Sequence, residues 1–181
     1  MSNQRKLVLF IATSLDGYIA TQNESLDWLF NVEGEGDNGY SEFYETVDTI
    51  LMGKKTYDWI MKHEPGEFPY INKECYVFTR SHVEDTKDVK FVNEDIVSFT
   101  NKLKKEKGKN IWIVGGGDLL HSFINKKLID ELILTVAPSL IGKGIPLFKE
   151  GNYQTELSLI GTRHFNQFVE LHYEVKKEIS Q

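Results

Sequence analysis

The segment Ile111 to Leu120, reading IWIVGGGDLL, constrains the fold more than any other stretch of the chain. Its short, mostly β-branched apolar run reads as a buried strand ending at Val114, and the three glycines then hand the chain to a helix that opens near Asp118. A strand running into a helix across so short a turn belongs to an alternating α/β architecture. Glycines at a strand's carboxyl end let a ligand approach the backbone, and the next helix offers an anion free N–H groups and its positive dipole end. The same glycines serve equally in a tight turn that only packs backbone on backbone. They are not the Rossmann fingerprint, because the next glycine of that pattern would have to stand at Leu120.

Further apolar runs at Leu7–Ala12, Thr49–Met52, Cys75–Thr79 and Leu132–Ala137 read as buried strands. Helical spacing places Phe43, Tyr44 and Val47 on one face, Ile96, Val97 and Leu103 on another, and Leu119, Leu120, Phe123, Ile124 and Leu128 on a third. The alternation gives an α/β class with a largely parallel sheet. After Pro138 comes a glycine-rich segment, Ile141 to Pro146, and then Leu157–Arg163 and Phe168–Val175 follow with no helix between them. These two runs are expected to form an antiparallel hairpin with its turn near His164–Gln167. In the second run Val169, Leu171 and Tyr173 form an apolar face, while Phe168, Glu170 and His172 form a mixed one. The acidic, glycine-containing stretch from Asn31 to Gly39 is the expected mobile loop.

Two more strand ends carry anion-binding chemistry. In ILMGKKTY the strand runs into Gly53 and then Lys54, Lys55 and Thr56 at a helix start, where an ammonium and a hydroxyl can meet phosphate. It is not a P-loop, since Asp48 occupies the place of the first glycine. In YVFTRS a strand delivers Thr79, Arg80 and Ser81 to a loop. Arginine occurs only at positions 5, 80 and 163, so Arg80 at a strand exit is a candidate for planar phosphate recognition. Each lysine or arginine alone also fits a solvated surface. All three elements lie where open α/β sheets bind ligands, at the carboxyl ends of strands.

At 181 residues the chain is read as a single domain, 1–181, with 40% hydrophobic residues to build one core. A net charge of −6 disfavours nucleic acid or an anionic membrane as partner. Cys75 is the only cysteine, which excludes an intrachain disulfide and a thiolate metal cluster. No apolar run reaches the length of a membrane span or of a signal peptide's core, so a cytoplasmic protein is expected. The five histidines show no metal-ligand spacing, and no metal site is expected.

With these pieces in order, the sequence resembles the dihydrofolate reductase superfamily and, within it, the riboflavin-biosynthesis reductase C-terminal domain family. The resemblance runs nearly end to end through ATSLDGYIA at positions 12–20, MGKKT at 52–56, FTR at 78–80, VGGGD at 114–118 and the stretch from Glu131 to Phe148. It implies a three-layer fold with a mostly parallel sheet closed by an antiparallel hairpin, NADPH across the strand ends, and a homodimer. Carried over by position, Ala12 and Ile19 flank the nicotinamide, and Gly53, Lys54, Lys55 and Thr56 hold adenosine-side phosphates. Thr79, Arg80 and Ser81 then surround the 2′-phosphate, and Gly115, Gly116, Gly117, Asp118 and Leu119 form the pyrophosphate turn.

The implied activity is hydride transfer from NADPH to a small pyrimidine- or pterin-like ring, similar to 5-amino-6-(5-phosphoribosylamino)uracil reductase. Such chemistry needs orientation and desolvation more than a covalent residue, and no catalytic residue is singled out. Substrate-side candidates are Asp16, Trp28, Phe43, Tyr57, Ile60 and Thr135. Asp27, Asp37 and Glu42 compete for the carboxylate that folate enzymes use to grip the ring, and Leu120 stands where those enzymes often carry tyrosine. Three alternatives stay open: dihydrofolate reductase proper, a dinucleotide-binding protein without turnover, and a structural homodimer without cofactor.

Overall fold

The computed structural model describes residues 4–64 and 66–177. Its main sheet has eight strands in the order β5-β4-β3-β6-β1-β7-β10-β9. These are β1 (Leu7–Ser14), β3 (Val47–Gly53), β4 (Glu74–Phe78), β5 (Lys90–Val92), β6 (Asn110–Gly115), β7 (Glu131–Ala137), β9 (Leu157–Phe165) and β10 (Phe168–Val175). Pairings from β5 through to β7 are parallel, and β10 is antiparallel to both β7 and β9. A second, two-stranded sheet joins β2 (Tyr18–Thr21) to β8 (Gly144–Pro146).

Helices cover both faces of the large sheet, as they must when parallel strands are apolar on both sides. On one face α4 (Ile96–Lys105) and α5 (Gly117–Asn125) bring Phe99, Leu103, Leu120 and Phe123 onto Leu7, Leu9, Ile111 and Ile113. On the other, α2 (Tyr40–Glu45) and α3 (Lys54–His63) bring Phe43 and Ile60 onto Val8, Ile50, Met52 and Trp112. Phe10 and Phe43 stack there at 4.0 Å, with the Trp112 ring edge-on to both. Phe123 is fully buried, so its truncation to Ala is worth about 3–5 kcal/mol. The expected three-layer class, largely parallel sheet and terminal hairpin are all present.

Several local expectations are corrected. Val47 opens β3 instead of ending a helical face, because it is fully buried within the sheet. The hairpin turn narrows to Asn166–Gln167 within the expected His164–Gln167, and His164 and Phe165 close β9; Asn166 takes φ +55, which asparagine tolerates better than phenylalanine. Strands β2, β5 and β8 and the one-turn helix α1 (Asp27–Phe30) are absent from the sequence reading, being too short to show a period. At the amino ends of the strands Arg5, only 5% exposed, ion-pairs with Asp48 and donates to Thr49 Oγ1 at 2.6 Å and to the Lys109 carbonyl at 2.6 Å. It ties β3 to the chain entering β6.

Candidate functional site

The strand order brings the four sequence motifs together, because β4, β3, β6 and β1 are consecutive neighbours. Their carboxyl ends carry Thr79–Ser81, Lys54–Thr56, Gly116–Leu119 and Ala12 in that sequence, along a line of roughly 14 Å at the usual strand spacing. In the middle of this line the first turns of α3 and α5 lie side by side. Thr56 Oγ1 donates to the Gly115 carbonyl at 3.3 Å, Lys55 Nζ is 3.5 Å from Asp118 Oδ2, and a Cβ on Gly53 would meet Leu119 Cβ at 3.7 Å.

Neither α3 nor α5 receives a side-chain cap, whereas Asp95 caps α4 by accepting from the Ser98 amide at 2.9 Å. Two adjacent helix starts therefore keep the N–H groups that every helix leaves unpaired, together with two positive dipole ends. Gly115 and Gly116 adopt φ +132 and +101, and a Cβ at Gly116 would stand 2.8 Å from Thr56 Oγ1. The glycines thus serve the tight turn and the open backbone at once.

The charged residues of this line differ in availability. Lys54 Nζ is 2.6 Å from Asp58, and Asp118 is bound by both Lys149 and Lys55, with the Lys149 hydrogen bond leading the effects that hold its carboxyl below the usual range. Arg80 is exposed and makes no hydrogen bond or ion pair with the described residues. Thr79 and Ser81 approach each other at 3.4 Å. Ile19, in β2, packs on the α4/α5 side of the core, and Ala12 is half-buried in β1.

Of the substrate-side candidates, Asp16 is fully engaged. Its carboxylate accepts from Ser14 Oγ at 2.6 Å and from the amides of Ile141 and Gly142 at 3.1 and 2.7 Å, clamping the β1–β2 turn to the loop after β7. The Ser14 hydroxyl, and behind it those amides, hold its carboxyl low. Asp37 accepts from the Gly39 and Ser41 amides and so starts α2. Phe43 and Ile60 are core residues, and Tyr57 is edge-on to Phe91 at 5.4 Å. Asp27 is exposed at the start of α1, and beside it the Trp28 indole N–H is buried without an acceptor. Thr135 is buried in β7.

Register extends the line beyond β1. Ala12 pairs with Thr135, Thr135 with Glu170, and Glu170 with Arg163, four side chains in a row on the α2/α3 face. Glu170, 3% exposed, accepts from Arg163 Nε at 2.8 Å and NH2 at 3.2 Å, and Arg163 NH1 donates to Glu42 of α2 at 2.8 Å. Gly39 gives that guanidinium room, since a Cβ there would stand 3.0 Å from NH2. Nearer the amino ends of the strands, Glu131 bridges Lys6 and His172, with His172 Nε2 donating at 2.8 Å. These residues surround a cavity of about 390 Å³ whose apolar wall is Val8, Phe10, Phe43 and Ile133.

In the sequence Glu42 stands out only as a possible ring-gripping carboxylate and Glu170 and His172 only as members of a mixed strand face, while Glu131 and Arg163 carry no site signal. The signal that could have found the central pair is the hairpin turn. With Asn166–Gln167 at the tip, Glu170 falls opposite Arg163.

Comparison with known proteins gives a consistent picture. The RibD C-terminal domain family matches residues 5–171. The chain is 52% identical over 171 residues to the uncharacterised protein YwjB of Bacillus subtilis (strain 168), covering 94% of this chain and 98% of that one. A Shewanella sp. PV-4 protein provisionally assigned to riboflavin biosynthesis superposes with a TM-score of 0.85 at 31% identity, over 95% of this chain and 99% of that one. The diaminohydroxyphosphoribosylaminopyrimidine deaminase/5-amino-6-(5-phosphoribosylamino)uracil reductase of Thermotoga maritima gives 0.71 at 15% identity, over 96% of this chain and 57% of that one. Enterococcus faecalis dihydrofolate reductase in complex with NADP(H) gives 0.64 at 16% identity, over 96% and 98%. The last two likenesses are those of the dihydrofolate reductase-like fold.

Proposed function

We propose that this chain, which belongs to the RibD C-terminal domain family, is a reductase that takes NADPH and delivers hydride to a small pyrimidine- or pterin-like ring. One observation carries the reading: two uncapped helix starts, α3 and α5, stand side by side at the carboxyl ends of neighbouring strands, with Arg80 one strand away and unengaged. Such a pair suits a dianionic pyrophosphate, because both dipole ends and both sets of unpaired N–H groups act on the same charge. The similarly folded Enterococcus faecalis dihydrofolate reductase forms a complex with NADP(H), which supports the same choice.

In this reading Gly115, Gly116, Gly117, Asp118 and Leu119 lie against the pyrophosphate, and Gly53, Lys54, Lys55 and Thr56 hold the adenosine-side phosphates. Thr79, Arg80 and Ser81 take the 2′-phosphate, and Ala12 and Ile19 border the nicotinamide. The bound cofactor supplies the hydride; the chain supplies orientation, through the Ala12–Thr135 row, and exclusion of water by the aromatic wall of Phe10, Phe43 and Trp112. The whole chain, 1–181, is taken as one such domain, working in the cytoplasm. No helix of the described residues is long and apolar enough to cross a membrane.

Leu157, Leu159 and Ile160 on the outer strand β9 are 39, 59 and 51% exposed, and a homodimer through this edge would cover them. Light scattering coupled to size exclusion should return a dimer mass for the unmodified protein and a monomer for Leu159→Glu.

A second reading, a dinucleotide-binding protein without turnover, is favoured by the engagement of Asp16 and Asp37, which leaves neither carboxylate free to pass a proton. Two measurements separate the readings. Fluorescence titration should give tighter binding of NADPH than NADH, and a panel of amino- and oxo-pyrimidines and pterins should contain one that consumes the reduced-nicotinamide absorbance. Equal affinity for the two cofactors overturns the 2′-phosphate assignment; tight NADPH binding with no substrate across the panel selects the second reading.

A further inference from the structure

Of the three glycines in the β6–α5 turn, Gly117 is the one whose backbone does not call for glycine. Gly115 and Gly116 take φ +132 and +101, whereas Gly117 has no left-handed φ and opens α5 as an ordinary helical residue. What a side chain there would meet is Lys149: a Cβ on Gly117 would stand 3.4 Å from Lys149 Cε and 3.6 Å from the Pro146 carbonyl oxygen. Lys149 lies in the irregular segment after β8; its stem crosses the first residue of α5, and its ammonium pairs with Asp118 Oδ1. The Tyr153 hydroxyl ties down the backbone of that segment by donating to the Lys149 carbonyl at 2.6 Å. From α3, Lys55 reaches Oδ2 of the same carboxylate at 3.5 Å. One carboxylate thus stands between two ammonium groups, which leaves one positive charge in excess beside the paired helix starts. Lys149 gives one of its three N–H donors to Asp118 and has no second acceptor among the described residues.

We propose that Lys149 is a further residue of the cofactor site, an ammonium brought to the pyrophosphate from outside all the strand-end motifs, and that Asp118 is its positioning residue. The assignment rests on the cofactor reading above and deepens it. An acidic side chain in the first turn of a helix that receives a dianion is unfavourable by itself, since like charges repel. Held between Lys149 and Lys55, the Asp118 carboxylate instead fixes two cations where two helix starts already present unpaired N–H groups. The bare Cα of Gly117 gives the Lys149 stem its path, so the third glycine serves the cation while the first two serve the turn. Nothing in this arrangement distinguishes NADPH from NADH, because the pyrophosphate is common to both.

Lys149→Met is the test, with fluorescence titrations of NADPH and NADH on the full-length protein. Both affinities should fall by about tenfold or more, the range of a charge-assisted contact, with their ratio unchanged. Lys149→Arg should retain most of the affinity. The melting temperature of cofactor-free Lys149→Met should stay level, since an ion pair to an Asp118 side chain that is 64% exposed contributes little to the fold. Asp118→Asn should weaken binding only while Lys149 is present; an equal loss in the Lys149→Met background would put the Asp118 side chain on the cofactor itself and overturn its positioning role. Unchanged affinities for Lys149→Met, with or without a lower melting temperature, make Lys149 a structural strut and overturn the proposal. A loss confined to NADPH overturns it too, by moving Lys149 to the 2′-phosphate. If the unmodified protein binds neither dinucleotide, the cofactor reading fails and this assignment with it, a result separate from any difference between variants.

Discussion

The two ends of one sheet face are built on opposite principles. At the carboxyl ends the backbone does most of the work: glycines at φ +132 and +101, two uncapped helix starts, and side chains such as Arg80 with no hydrogen bond or ion pair among the described residues. Toward the β10–β9 edge of the sheet the side chains do it, through buried carboxylates held by Arg163, His172 and Lys6. A backbone site is written in a few contiguous residues and waits for an anion. A side-chain site is assembled from distant positions and carries its own counter-charges, so substitutions at the two ends should fail in different ways.

The largest contrast is expected at the glycine turn. Gly116→Val puts a branched side chain at φ +101 with its Cβ 2.8 Å from Thr56 Oγ1, so NADPH binding should be lost and stability should fall by about 1–3 kcal/mol from backbone strain. Gly53→Ala, at φ −85 and an ordinary 3.7 Å from Leu119, should keep its melting temperature. Urea denaturation and cofactor titration on both variants read the two effects separately. Normal NADPH binding by Gly116→Val would show that the turn serves packing alone.

At the other end, Glu170→Leu removes the buried partner of the Arg163 guanidinium and leaves it only the exposed Glu42. Removing one partner of a buried pair costs about 3–5 kcal/mol, and the 41% exposure of the Arg163 side chain brings the expectation down to about 2–3. The double change Glu170→Leu with Arg163→Met should recover most of it, because an apolar pair needs no counter-charge. If the double variant is as unstable as the single one, the destabilisation comes from lost packing and not from an unpaired cation.

This contrast also explains what the sequence could disclose. Runs such as Ile111–Val114 and Leu132–Ala137 announce themselves because both faces of a parallel strand are buried, and the glycine turn is readable because φ +101 excludes nearly every other residue. Strands of three or four residues, like β5 and β8, have no period to detect. The Arg163–Glu170 pair depends on hairpin register. A turn centred one residue early sets Gly161 opposite Glu170, and the ion pair vanishes from view. Asp16 and Asp37 illustrate the converse: a carboxylate beside a proposed cleft reads as functional until the structure reveals which amides it accepts from.

Within the cofactor end, Arg80 and Lys54 should contribute unequally to the preference for NADPH over NADH. Lys54 must leave Asp58 to meet a 2′-phosphate, while Arg80 gives up no partner among the described residues. Arg80→Ala should therefore lower the preference by about tenfold or more, within the range of a charge-assisted contact, and Lys54→Ala by less. Fluorescence titration with both cofactors on each variant tests the ranking, and a larger loss from Lys54→Ala reverses the assignment.

The smallest expected effect is a pH signature of the side-chain end, centred on Glu131. Burial works to raise its pKa, but hydrogen bonds from Lys6 and His172 outweigh it and leave the carboxyl below its ordinary value. A depressed carboxyl stabilises the fold above its unfolded pKa of about 4.3, and the contribution is lost as pH falls through the lower folded value. Lys6 behaves in mirror image. Its hydrogen bond to Glu131 raises its pKa, so its contribution is complete below its unfolded pKa of about 10.4 and is lost as pH climbs through the raised folded value. Glu131→Gln should therefore flatten the stability profile at both extremes while leaving its middle almost level, with each arm changing by less than about 1 kcal/mol because Lys6 is partly exposed. Urea midpoints from mildly acidic to strongly alkaline pH would read both arms. A variant that flattens the acid arm alone would place the Lys6 contribution on Glu174, which stands 3.6 Å away, and would move the centre of this charge cluster to the rim of the sheet.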